Sequence, residues 1–206
     1  MKKLTIIMAL FITLCGCTAT QSEPLSEKPV IYIYPTVTTD VTVSLDYTGE
    51  IISTYPECED HTWVVTASPD GSLKDSSGRQ YPYLFWEGRS DTTYDFRRGF
   101  VVSGSDTASF LEEKLAYMGL SDSEAADFIT YWLPRMQENE YNLIAFQGRA
   151  YTDEAKLTVS PAPDSVIRVF MAWKAVDGDM ELPEQVLPQG NRNGFTVVEW
   201  GGVELG

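Results

Sequence analysis

The chain has 206 residues, 43% of them hydrophobic and 12% aromatic, and a formal net charge of −15. That is ample apolar material for a real core, in a length that suits one domain or two small ones closely packed. The negative balance repels nucleic acid and anionic lipid headgroups, and three cysteines are too few for a cysteine-rich zinc site.

Residues 1–16 read as an export signal. Lys2 and Lys3 form a cationic start, and Leu4 to Leu14 is an almost unbroken apolar run, the n-region and h-region of a signal peptide. As a helix that run rises about 16 Å, against about 30 Å for a bilayer core, so it is too short to remain as a span. Its end, Leu14-Cys15-Gly16-Cys17, resembles the lipobox of bacterial lipoproteins. The resemblance implies cleavage after Gly16 and a diacylglyceryl group on the Cys17 thiol, with Cys15 a less common occupant of the tolerant middle position. The alternative is an ordinary secreted protein cut near Ala19. Two or more acyl chains hold a protein stably on a bilayer, whereas one gives marginal binding. Cleavage removes two lysines and no acid, so the processed chain is more negative still, and its anchor must be lipid rather than a basic patch.

Residues 17–28 are rich in Thr, Ser, Glu and Pro and read as a flexible tether. A single domain is expected over 29–206, with a subdivision near residue 100 left open. Val30 to Tyr34 is a short apolar run ended by Pro35, a buried strand. Val41, Val43, Leu45 and Tyr47 alternate with Thr42, Ser44 and Asp46, a half-buried strand. Strands are also expected over Ile51 to Tyr55, Thr62 to Ser68 and the aromatic run Tyr81 to Trp86, with turns at Pro69-Asp70-Gly71 and Asp75 to Gly78.

The period then changes. Leu111, Leu115 and Met118 share one helical face, with Ser105 or Asp106 as the cap and Gly119 as the left-handed exit. Ser121 and Glu124 have capping-box spacing before a second helix carrying Ala125, Phe128, Ile129 and Trp132, which Pro134 should end or bend near Leu133. Tyr141 to Gln147, Ala155 to Ser160, Val166 to Lys174 and Phe195 to Trp200 read as further strands. A block of strands, a two-helix hairpin and more strands predicts an α+β fold, mostly antiparallel.

The segments KPVIYIYP, YPYLFWEG, FITYWLPRM, YNLIAFQ, VIRVFMAWK and GFTVVEWGG together resemble a family of uncharacterised bacterial envelope proteins, many with lipoprotein signals. The resemblance spans nearly all of residues 28–202. It implies a single compact unit, and no activity or catalytic residue comes with it.

Two motifs set a glutamate beside a tryptophan and next to glycine: Trp86-Glu87-Gly88 and Glu199-Trp200-Gly201. Glu87 and Glu199 are therefore candidates for a hydrolytic carboxylate pair, which glycoside cleavage sets about 5 to 10 Å apart, with Trp86 and Trp200 as candidate ligand-binding walls. The competing reading pairs one or both glutamates with Arg168, Arg97 or Arg98. Arg168 lies inside an apolar strand and needs a partner if buried. Cys58 and His61 could form a thiol–imidazole pair, but they sit in an expected loop, and a lone cysteine more often packs as a small hydrophobe. The acidic loops at 70–75 and 177–181 lack EF-hand spacing, and no phosphate loop, dinucleotide fingerprint or GxSxG elbow is present. No metal or cofactor is expected. The expectation is a lipid-anchored, extracytoplasmic protein of the inner or outer membrane that binds a glycan or envelope protein. Surface carbohydrate hydrolysis through the glutamate pair is the alternative, and the reading leans against catalysis.

Overall fold

A computed structural model describes residues 25–178 and 180–206; the signal, Cys17 and the tether up to residue 24 lie outside the described residues. In chain order the strands are β1 Leu25–Tyr34, β2 Thr39–Tyr47, β3 Glu50–Tyr55, β4 Thr62–Ala67, β5 Leu73–Lys74, β6 Gln80–Tyr81, β7 Leu84–Arg89 and β8 Phe100–Ser103. Helices α1 Thr107–Tyr117 and α2 Asp122–Met136 follow. The chain closes with β9 Tyr141–Phe146, α3 Arg149–Glu154, β10 Ala155–Ser160, β11 Ser165–Val176 and β12 Thr196–Glu204.

These build three layers. A seven-stranded sheet, ordered β3-β7-β1-β12-β11-β9-β8, lies between the α1–α2 pair and a five-stranded sheet, ordered β10-β2-β4-β5-β6. The architecture is α+β and strand-dominated, and every pairing is antiparallel except β11 with β12, which run parallel. The large sheet takes strands from both sides of residue 100, so strand order marks no boundary there.

One core fills each side of the large sheet. Between the sheets, Val41, Val43, Leu45 and Tyr47 of β2 meet Ile31, Ile33 and Leu84, the face that their alternation predicts. On the helix side, Leu111, Leu115, Phe128 and Trp132 pack on Val30, Val169, Val198 and Trp200. Phe128 makes an edge-on contact with Trp200 at 5.3 Å between ring centres. Gly202 exists for this layer: a Cβ there would lie 2.7 Å from the Trp132 ring.

The helix junction forms as its sequence predicts. Gly119 takes a positive φ of 94°, and Ser121 and Glu124 complete a reciprocal capping box. Asp106 stands at the N-cap of α1 after a short 3-10 turn that Ser103 caps.

Three expectations need correction. The tether does not reach residue 28, because Leu25 and Ser26 already pair with Arg89 and Gly88. Polar Ser26 and Glu27 hid that strand: Ser26 is buried against Tyr47, and Glu27 pairs with Arg135 at 2.7 Å. Of the two outcomes expected at Pro134, an end near Leu133 does not occur: α2 runs on to Met136, because proline withdraws its own donor from the ladder while the Gln137 amide still reaches the Leu133 carbonyl. The aromatic run at 81–86 is not one strand, since Tyr81 and Leu84 belong to different sheets. Strand β8 and helix α3 carry too short a pattern to have been read.

Replacing Phe128 with Ala should cost about 3 to 5 kcal/mol in urea unfolding, the usual cost of a large cavity in a core. A loss below about 1 kcal/mol would contradict this packing.

Candidate functional site

The large sheet separates the two glutamates singled out from sequence. Ile31 pairs with both Leu84 and Glu199, so these three share one face. Trp86 follows Leu84 by two residues and takes that face too, toward the five-stranded sheet. Glu87 sits between them in phase and turns to the helix side, as Phe85 does. The two carboxylates therefore do not converge on one cleft.

Glu199 is fully buried. Its Oε1 accepts from the Trp86 indole at 3.2 Å, and its Oε2 accepts from Arg168 Nε at 2.6 Å. Arg168 is directly opposite Glu199 on the neighbouring parallel strand, and its side chain is only 11% exposed. Burial alone pushes the Arg168 guanidinium down, but the Glu199 carboxylate and the Tyr151 side chain outweigh it, and the net shift is upward. Arg168 also lies 4.8 Å over the Tyr151 ring, and that ring stacks on Phe170 at 4.1 Å. Burial raises the Tyr151 hydroxyl pKa well above its usual value. The group is a sealed structural seam between sheets.

Glu87 faces a different environment. Partial burial pushes its carboxyl pKa up, against the opposing influence of the Lys28 backbone. It forms no ion pair among the described residues; Arg97 bonds Asp95 instead, at 2.7 Å. Trp86 and Trp200 are both fully buried, on opposite faces of the sheet, so neither walls an open groove. Cys58 packs against the inter-sheet core, and His61 holds a left-handed turn position with φ 55°. Asp70 and Asp75 accept hydrogen bonds from Ser72 and Ser77 within their own turns. Among the described residues no group of His, Cys, Asp and Glu is placed to hold a metal, and no helix is long and apolar enough to cross a membrane.

What the sequence reading missed is an open cleft of about 420 Å³ where the end of β1 meets the start of α2 and two turns of the small sheet. Its lining includes Tyr32, Tyr34, Tyr81, Asp70, Gln80 and Asp127. The Tyr32 hydroxyl donates to Asp127 Oδ2 at 2.9 Å, and burial followed by that carboxylate raises its pKa. Tyr34 lies beneath the Arg192 guanidinium at 5.0 Å. Arg192 is in turn held by the fully buried Glu124 at 2.7 Å, the same glutamate that caps α2. The cleft is therefore braced from behind by a cap, an ion pair and a tyrosine ring. The IYIY alternation of β1 was its one visible signal.

No family model matches the chain, and no solved structure matches it. The chain is similar to a protein of Butyrivibrio fibrisolvens described as "Uncharacterized protein in bglA 3'region", with 43% identity over 89 residues, covering 41% of this chain and 88% of that protein.

Buried tyrosines give a pH signature. Burial and then Glu27 push Tyr131 up to about 12, and Tyr32, Tyr34 and Tyr94 are raised above their usual value chiefly by burial. Above the ordinary tyrosine pKa of about 10, the unfolded chain releases protons that the folded chain keeps. Stability should therefore be intact below about pH 10 and fall as pH rises toward 12. Absorbance titration should show these tyrosines ionising together with alkaline unfolding. Ionisation of every tyrosine near pH 10 in a still-folded protein would contradict it.

Proposed function

We propose a function from one premise: the chain belongs to the same family as the uncharacterised protein of the bglA 3′ region of Butyrivibrio fibrisolvens. It is a lipid-anchored, extracytoplasmic binding module, tethered through Cys17 and taking a glycan in the tyrosine cleft, without catalysis.

The observation that carries the reading is the cleft itself. Sugars offer hydroxyls around a ring with apolar faces, so a complementary site combines aromatic surface with a few fixed polar groups. The half-buried Tyr34 supplies the first, with the edges of the buried Tyr32 and Tyr81 beside it, and Asp70, Gln80 and Asp127 supply the second. Asp127 is held in place by the Tyr32 hydroxyl and keeps its second carboxylate oxygen for a ligand. Two aspartates in a chain of net charge −15 disfavour anionic sugars, so a neutral or amino sugar is the expected class. Hydrolysis through Glu87 and Glu199 has no support in their placement, since inverting and retaining enzymes both need the carboxylates across one scissile bond.

The anchor rests on the lipobox-like end of the signal. An acidic surface that anionic headgroups repel needs covalent lipid to stay at a membrane, and dual acylation supplies it.

The test uses full-length protein extracted from membranes in mild detergent and titrated with soluble cell-wall oligosaccharides. Tyr34→Ala and Asp127→Asn should each weaken binding about tenfold or more, about 1.4 kcal/mol, and Cys17→Ser should move the protein to the aqueous fraction. Unchanged affinity in both cleft variants would remove the glycan site. A Cys17→Ser protein still in the membrane after a high-salt wash would remove the anchor.

A further inference from the structure

Strand β11 is longer than the strand that covers one of its edges. Its pairing with β9 spans only Met171 to Val176, because the chain leaves β9 after Phe146, and Gly148 then opens α3. On the other side β12 pairs with β11 from Ser165 onward. The first half of β11 is therefore an open sheet edge.

The direction of each backbone group along that edge follows from bonds at its two ends. The Ser165 amide donates toward β12, to the Phe195 carbonyl. Phe170 points the opposite way, its carbonyl accepting from the Gln147 amide. Backbone N–H and C=O groups alternate sides residue by residue in a strand. Val166 and Arg168 thus present their N–H and C=O groups to the open edge, about 6.6 Å apart. Among the described residues, neither makes a backbone hydrogen bond on that side.

A cleft of about 470 Å³ runs along these groups. Its far wall is the stretch 188–193, fixed to the strand by mutual bonds between Ser165 Oγ and the Asn193 backbone. Gln189, Asn191 and Asn193 line it with polar groups, and Met118 and Pro188 with apolar surface. Val166 is 52% exposed at its mouth.

We propose that this cleft binds an extended peptide of a partner protein, which adds to the sheet as a strand beside β11, in line with β9. The ligand class follows from the backbone. Two donor–acceptor pairs at strand spacing are matched by another extended polypeptide, residue for residue. A sugar or a helix presents no such repeat. The walls add selectivity: a side chain toward α1 meets apolar Met118 and Pro188, and Asp164 at the entrance, in a chain of net charge −15, favours an uncharged or basic segment. Open edges are aggregation hazards that proteins usually blunt. Here the 188–193 wall limits access to one strand. The site is separate from the tyrosine cleft and shares no lining residue with it.

The test uses the full chain in detergent and a capped heptapeptide of alternating Thr and Val flanked by Lys. A second peptide has the same side chains but is N-methylated at the central residues, so that it cannot donate. Amide exchange at Val166 and Arg168 should be fast in the free protein and slow at least tenfold with the first peptide, and be unchanged with the second. Val166→Pro, which removes a donor from the open side only, should keep the fold and lose the response. The proposal is overturned by slow exchange at both amides in the free protein, by no slowing at peptide concentrations up to about 1 mM, the weak end of specific affinities, or by equal slowing with the N-methylated peptide.

Discussion

Glu199 is a carboxylate at the centre of the molecule, and it is tolerated there only because Arg168 and the Trp86 indole hold it. Burying an ion costs several kcal/mol, which mutual attraction offsets only in good geometry. Here the partners come from three strands of one sheet, β7, β12 and β11, so the pair fixes more than itself. Side chains alternate faces along a strand, and a one-residue slip would carry Glu199 into the apolar layer beneath the helices. The cost of an unpaired charge there makes this register the one that can be occupied. On the opposite face, the same register seats Trp200 against Phe128 and Gly202 under Trp132.

This arrangement determines what the protein can do chemically. The large sheet is a partition, with Glu199 sealed on one side and Glu87 on the other. Pairing their neighbours along β1 keeps them apart for as long as the fold exists. Open clefts are left to the margins, where strands and turns end. The tyrosine-lined cleft lies where β1 finishes against α2, and the other beside β11 where β9 stops short. Both are braced by the same contacts that fix the fold: Glu124 caps α2 and also holds Arg192 over Tyr34, and Gly119 ends α1 where Gly190 passes at close range.

Much of this was legible where a local pattern decides the outcome. The alternation of β2, the Ser121–Glu124 cap and the left-handed Gly119 are each set by a few adjacent residues. The sequence also named Arg168 as a charge in need of a partner and Glu199 as one of two choices. It did not show which face each glutamate takes, because that depends on pairing between strands more than a hundred residues apart. Tyr81 to Trp86 reads as one aromatic run, yet the chain crosses between sheets at Pro82 and Tyr83; the proline marks a break but not that the next strand joins the other sheet. The clefts were not legible for the same reason, beyond the IYIY alternation that places two tyrosines of one of them: each is made by the end of one element meeting a distant turn.

The central claim is that Glu199 and Arg168 form a structural pair, and a double-mutant cycle by urea unfolding tests it most directly. Glu199→Leu and Arg168→Leu should each lose roughly 3 to 5 kcal/mol, since each strands a buried charge, and the double variant should recover most of that loss. Additive single effects, or a Glu199→Leu protein as stable as the parent, would contradict it.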